Sequence, residues 1–193
     1  MIQNTEQAYR VIPVIRRRWS PKSFSSQEVE LPKLRSAFEA ARWAASSYNE
    51  QPWRFIVGIK DKGSTYDLLF DSLQDKNKMW AQSAPVLVLV CCKSSFTYKE
   101  QPNRCALYDT GAAVCQMVLQ LYNDGIHTRQ IAGLDTETAR RHFNVPVDYN
   151  IICAMAIGIL EGGDEEDDGP PRARKDFDEF VFSENWNLKS GLF

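Results

Sequence analysis

Two short segments carry residue types that converge on a chemistry. In Arg16-Arg17-Arg18-Trp19-Ser20-Pro21-Lys22-Ser23-Phe24 a helix end passes into an extended stretch fixed by Pro21. Arginine offers a phosphate forked, charge-assisted donors, and a serine hydroxyl adds a third contact, so the run has the composition of a phosphate grip. The same arginines would also suit a helix C-terminus, where the macrodipole favours cations that are otherwise merely solvated. The second segment, Ala44-Ala45-Ser46-Ser47-Tyr48-Asn49-Glu50-Gln51-Pro52-Trp53, lies between a helical pattern and a strand pattern. Its hydroxyls and amides both donate and accept, which suits a ligand bearing hydroxyls and a ring edge of mixed polarity. It reads equally as a capped turn with Trp53 in the core.

The elements that must position these segments follow from hydrophobic periodicity. Residues 4–18 place Ala8, Val11, Ile12 and Ile15 at helical spacing despite Pro13, and a second helix runs from Leu31 to Ala45 through Leu34, Ala37, Phe38 and Ala41. Phe55 to Ile59, Val86 to Cys92 and Ile151 to Ile159 are apolar, β-branched-rich runs expected as buried strands. Further helices are expected near 64–74, 104–123 and 135–142. The long one is apolar round much of its circumference, so it packs centrally or against a second subunit. Glu161 to Pro171, acidic and rich in Gly and Pro, reads as a solvated connection. Phe177, Phe180 and Phe182 then lie in a strand-like or extended tail to Trp186, whose aromatic residues need cover that a partner subunit would supply.

The bulk composition bounds the class without naming a function. A chain of 193 residues, 44% hydrophobic and 25% charged, fits a single domain over 1–193 and needs no disulfide or metal staple. A net charge of -2 gives no global reason to bind nucleic acid, although basic groups cluster at Arg16 to Lys22 and at Arg172, Arg174 and Lys175. The two clusters would serve one anion between them. Cys91, Cys92, Cys105, Cys115 and Cys153 lack zinc-type spacing and read as reduced, buried small hydrophobes. The vicinal pair Cys91-Cys92 is poorly placed for ordinary disulfide geometry. No signal-type amino terminus and no membrane-length apolar run of roughly 18 residues is visible, which places the protein in the cytoplasm. There is no G-x-G-x-x-G, so a nicotinamide would be a transient substrate and not a resident cofactor. His127 and His142 sit in no nucleophile motif and read as structural. The acidic run Asp164 to Asp168 lacks the ligand alternation of a calcium loop, and no metal site is expected.

The two opening segments, separated by a helix, resemble the paired amino-terminal signatures of the FMN-dependent nitroreductase family. Gln130-Ile131-Ala132-Gly133-Leu134-Asp135 resembles that family's short loop before a helix. Pro171-Arg172-Ala173-Arg174-Lys175, followed by Asp178-Glu179-Phe180-Val181-Phe182, resembles its carboxy-terminal motif. Four matches in the family's order span nearly the whole chain, and on that basis the ligand-binding readings displace the capped-turn and solvated-helix ones.

The resemblance implies an α+β fold with a mainly antiparallel sheet flanked by helices, in an intertwined homodimer whose carboxy-terminal tail crosses to the partner. It implies that Arg18, Trp19 and Ser20 approach the phosphate and ribityl chain of FMN, with Arg172 and Arg174 closing on the phosphate. Trp19 stands where Arg or His is frequent, so its contact is through backbone or packing. Lys22 falls where the family sets a cation against N1 and O2 of reduced flavin, stabilising that form. Ser46, Ser47 and Asn49 resemble residues that reach the flavin of the second subunit, Ala45 replacing a frequent proline. The backbone N–H groups of Ala132 and Gly133 would face flavin N5, and Asn77 would contact the pyrimidine edge. The implied activity is ping-pong transfer of electrons from NADH or NADPH through bound FMN to nitroaromatic, quinone or similar small acceptors. Reductive dehalogenation, flavin processing and a non-catalytic FMN-binding module remain as alternatives.

Overall fold

A computed structural model describes residues 9–162 and 169–191. The chain divides into two units, one of residues 11–168 and one combining residues 1–10 with 169–193. Every named strand and α-helix of the described residues belongs to the first.

That unit is built on a four-stranded sheet. Its strands are β1 (Trp53–Ile59), β2 (Val86–Lys93), β3 (His127–Ile131) and β4 (Tyr149–Gly158), ordered β1-β2-β4-β3, with every pairing antiparallel. β2 is central because nearly every residue in it is apolar, and Val86 to Cys92 are buried on both faces. Six α-helices of the described residues flank the sheet: α1 (Pro13–Arg17), α2 (Leu31–Arg42), α3 (Thr65–Asp71), α4 (Asp75–Ala81), α5 (Ala106–Asn123) and α6 (Thr136–Phe143). The α+β class expected from the sequence is the one found.

One face of the sheet packs on α2 and α5. Leu34, Ala37 and Ala41 of α2 meet a stripe on α5 of Ala113, Val114, Met117, Val118 and Leu121, with Val86, Val88 and Val90 beneath. Leu69, Leu73, Ala81, Leu87, Leu89 and Ala154 fill the other face under α3 and α4. Gly58 lets α3 close on β1, because a Cβ there would lie 2.6 Å from the Tyr66 backbone.

Several expected elements differ. The helix expected over 4–18 begins only at Pro13, while residues 1–8 lie outside the described residues. Proline has no N–H to give an interior helical bond and restricts the residue before it to extended geometry, so Pro13 opens the helix and Ile12 (ψ 141°) stays outside. α4 and β3 had no counterpart in the periodicity. The tail is not a strand: a 3-10 turn at Phe177–Glu179, closed by reciprocal Asp176 and Glu179 capping, is followed by a bridge between Phe182 and Lys189. α5 is buried along one side only, with Leu107, Tyr108, Gly111 and Cys115 exposed on the other. Cys115 is thus a correction to the reading of all five cysteines as buried, since it points away from the packed stripe. Burial does hold the Cys91 and Cys153 thiols up to about 11. The acidic run Asp164 to Asp168 lies outside the described residues. No helix among the described residues is long and apolar enough to cross a membrane, and no metal-ligating cluster occurs among them.

Candidate active site

The segment after α1 is pinned along the edge of the sheet at several points. Phe24 bridges Leu160, the Ser25 N–H donates to the Ile159 carbonyl at 2.9 Å, and the Phe24 N–H reaches Ser83 Oγ at 3.2 Å. Within it Arg18 Nη1 donates to Ser20 Oγ at 3.1 Å. Trp19 is half-buried, edge-on to the His127 ring at 6.2 Å, and its buried Nε1 has no acceptor among the described residues. Lys22 is exposed, with neither an ion pair nor a hydrogen bond among the described residues. Its charge is therefore unspent.

The loop leaving β3 supplies the second component. Asp135 caps α6, accepting from the Glu137 and Thr138 N–H groups at 3.1 Å each and from the Thr138 hydroxyl at 2.7 Å. The Thr138 hydroxyl, foremost among these bonds, holds the carboxyl below its ordinary pKa. With α6 fixed behind it and β3 before it, the Ala132-Gly133 turn has little freedom. Leu134 N–H closes it onto the Ala132 carbonyl at 3.0 Å, and Asn77 Nδ2 and Gln74 N–H both donate to the Gly133 carbonyl, at 2.9 and 3.1 Å. Neither the Ala132 nor the Gly133 N–H donates to any described residue. Unspent backbone donors at a surface turn are the usual equipment for meeting an acceptor-rich ligand edge.

Arg129, on β3, ties these components together. Its Nη1 donates to the Ser20 carbonyl at 2.5 Å, and its guanidinium lies over the Trp80 ring, 5.3 Å from the centroid. Trp80 is one helical turn beyond Asn77 on α4. Arg18, Ser20, Asn77, Ala132 and Gly133 thus occupy one edge of the sheet, with Arg129 and Trp80 between them.

Ser46, Ser47 and Asn49 are not brought to that edge. Their loop leads into β1, whereas Ala132 and Gly133 follow β3. With β2 and β4 between, three strand spacings of ~4.8 Å hold the edges about 14 Å apart. The loop is nonetheless well defined. Tyr48, Asn49 and Gln51 have φ of 53°, 55° and 52°, a left-handed geometry uncommon for residues other than glycine. Ser46 Oγ accepts from the Gln51 N–H at 3.0 Å, and the Ser47 N–H donates to Asp109 Oδ2 at 2.9 Å. Asp109, in the first turn of α5, is only 4% exposed. Arg172 and Arg174 belong to the other unit, where Arg174 Nη1 donates to the Ala173 carbonyl.

Arg129, Trp80 and Asp109 were not visible as site residues. β3 is short and mixes polar with buried positions, α4 is a single polar heptad, and Asp109 sits inside an apolar helix where only the fold shows what it faces. A basic residue two positions before the Ile131-Ala132-Gly133 match was the one available signal.

Comparison with known proteins bears on the fold and the family. A crystal structure described as an oxidoreductase containing FMN superposes with a TM-score of 0.85 at 26% identity, over 95% of this chain and 96% of that one. A nitroreductase family protein from Clostridium difficile 630 gives 0.70 at 20% identity, over 90% and 97%. An uncharacterized 15.4 kDa protein of Mycolicibacterium smegmatis is 28% identical over 145 residues, 69% of this chain and 97% of that protein. The α+β fold is the one these solved structures share. The nitroreductase family model matches residues 15–70 and 59–159, and the chain belongs to the nitroreductase family.

Proposed function

We propose that this protein is an FMN-dependent oxidoreductase that takes hydride from NADH or NADPH and passes electrons, in a ping-pong cycle, to flat electron-poor acceptors such as nitroaromatics or quinones. The observation carrying the proposal is the turn at Ala132-Gly133, whose two N–H groups are unspent while its carbonyl is held by Asn77. FMN, when bound, supplies the two-electron chemistry, and the chain supplies position and electrostatics.

The donor set fits that group. The N–H groups of Ala132 and Gly133 face the ring nitrogen that takes hydride, and Asn77 fixes both the turn and the neighbouring pyrimidine edge. Lys22 opposes the charge that reduction places on the ring. Arg18 and Ser20 serve the phosphate end, and the sequence match assigns Arg172 and Arg174 to the same phosphate. Trp19 contributes by packing.

The reading includes a homodimer. Ser46, Ser47 and Asn49 are held on the opposite sheet edge from the turn, so a second copy is what brings such a loop to a flavin. The exposed side of α5, with Tyr108 at 82% exposure and Gly111 leaving room for close approach, is the surface assigned to that contact, and the carboxy-terminal tail is assigned to crossing onto the partner. Five free cysteines suit a reducing compartment, and we place the enzyme in the cytoplasm.

Purified protein tests the proposal directly. It should be yellow, with absorbance at about 450 nm that bleaches anaerobically on adding NADH or NADPH. Bound flavin that neither donor reduces would instead support a binding module, and a colourless protein that takes up no FMN would end the flavoprotein reading.

A further inference from the structure

We propose that Arg129 is a second cation of the flavin site, set beside Lys22 against the edge of the ring that becomes negative on reduction. The inference rests on the FMN reading above and extends it to a residue that no motif marks.

Of the donors on the Arg129 guanidinium, only Nη1 has an acceptor, the Ser20 carbonyl at 2.5 Å; Nε and Nη2 have none among the described residues. No carboxylate of the described residues pairs with it. An arginine serving only to hold two segments together ordinarily spends its fork on a carboxylate or on several carbonyls, as Arg140 does with the carbonyls of Val145, Pro146 and Tyr149. Arg129 instead keeps most of its fork available. Its guanidinium carbon lies over the Trp80 ring, 5.3 Å from the centroid, which with the Ser20 carbonyl holds the group at two points before any ligand arrives. Its neighbours define where those donors lie. Ser20 is two residues from Lys22, Trp80 is one turn from Asn77, and Gly133 is four residues along the chain from Arg129 itself. A planar, unpaired cation among a lysine, an amide and a turn of free N–H groups matches the carbonyl-rich pyrimidine edge of a flavin, where negative charge develops on reduction.

Two neutral replacements separate charge from scaffolding. Arg129→Gln can retain a bond to the Ser20 carbonyl but not the stacking, whereas Arg129→Met retains packing on Trp80 but not the bond. Both remove the charge. Each, measured as the FMN-loaded protein by redox titration, should show a lower midpoint potential, with reduced FMN bound about tenfold less favourably relative to oxidised FMN, or ~30 mV for a two-electron couple. Arg129→Lys should restore most of the wild-type value. An unchanged potential in either folded, FMN-loaded neutral variant overturns the assignment while leaving the flavoprotein reading intact. Weaker FMN binding with riboflavin binding and potential unaltered overturns it too, by placing the guanidinium at the phosphate. Wild-type protein that binds no FMN at all overturns both readings together.

Discussion

Asn77 Nδ2 donates to the Gly133 carbonyl at 2.9 Å across 56 residues of chain, and a Cβ at position 133 would lie 2.2 Å from that same nitrogen. The pair is mutually exclusive with any side chain on residue 133. Gly133→Ala should therefore displace the Asn77 amide and leave the backbone in place, since the clash falls on the far end of a side chain. The expected result is a stability change of about 1 kcal/mol, the net value of one hydrogen bond, alongside a fall of roughly tenfold in FMN affinity. Asn77→Ala should give a similar loss of affinity, and the double variant should lose little more than either single one. Additive losses in that cycle would mean the two residues act separately.

The exposed Lys22 separates binding from redox poise. Its charge has no counterion among the described residues, so removal costs the apoprotein nothing in lost pairing. Lys22→Ala should lower the flavin midpoint potential with a smaller effect on affinity for oxidised FMN, as read by redox titration and fluorescence quenching. Equal loss for both oxidation states would make Lys22 a general anchor.

Asp109 offers a test of the strained loop. With its carboxylate buried against the Ser47 N–H, Asp109→Ala should leave that donor unsatisfied and release three left-handed residues from their restraint. A stability loss of about 1–3 kcal/mol is expected by thermal or urea unfolding. FMN should be retained less well even where the protein stays folded. Asp109→Asn, which still offers an oxygen, should recover much of both.

The α5 surface predicts a dimer in solution. Full-length protein should sediment at twice 22.1 kDa, and Gly111→Arg should shift it to the monomer and release FMN in step. Cys115 reports the same contact chemically. It is exposed in the single chain while burial shields Cys91 and Cys92, so its alkylation should be slow in the dimer and fast in the Gly111→Arg variant. Rapid alkylation of dimeric wild-type protein would move the interface away from α5.

What could be read in advance divides along physical lines. α2 and α5 were legible because burial of one face against the sheet imposes a helical period on their apolar residues, and β1, β2 and β4 because buried strands are short continuous apolar runs. β3 was not: it is a strand only because its backbone pairs with β4, and Arg129 on it looks like any surface arginine until Ser20 and Trp80 are beside it. The boundary error at Pro13 has the opposite cause, a strong helical period continued through a residue unable to sustain it. At the site, the runs around Arg18 and Ser46 were legible as donor-rich segments. The Asn77 contact became specific only with α4, whose seven mostly polar residues carry too little periodicity to show a helix.

The placement of the serine loop and the glycine turn on opposite edges of one sheet has a genetic consequence. If each flavin draws its turn from one chain and its loop from the other, a Lys22→Ala chain and an Asp109→Ala chain are defective in different halves of the site. Coexpressed, they would assemble mixed dimers in which one site carries both lesions and the other carries neither. Two impaired alleles would then complement each other, giving a cell that carries both more activity than either parent alone.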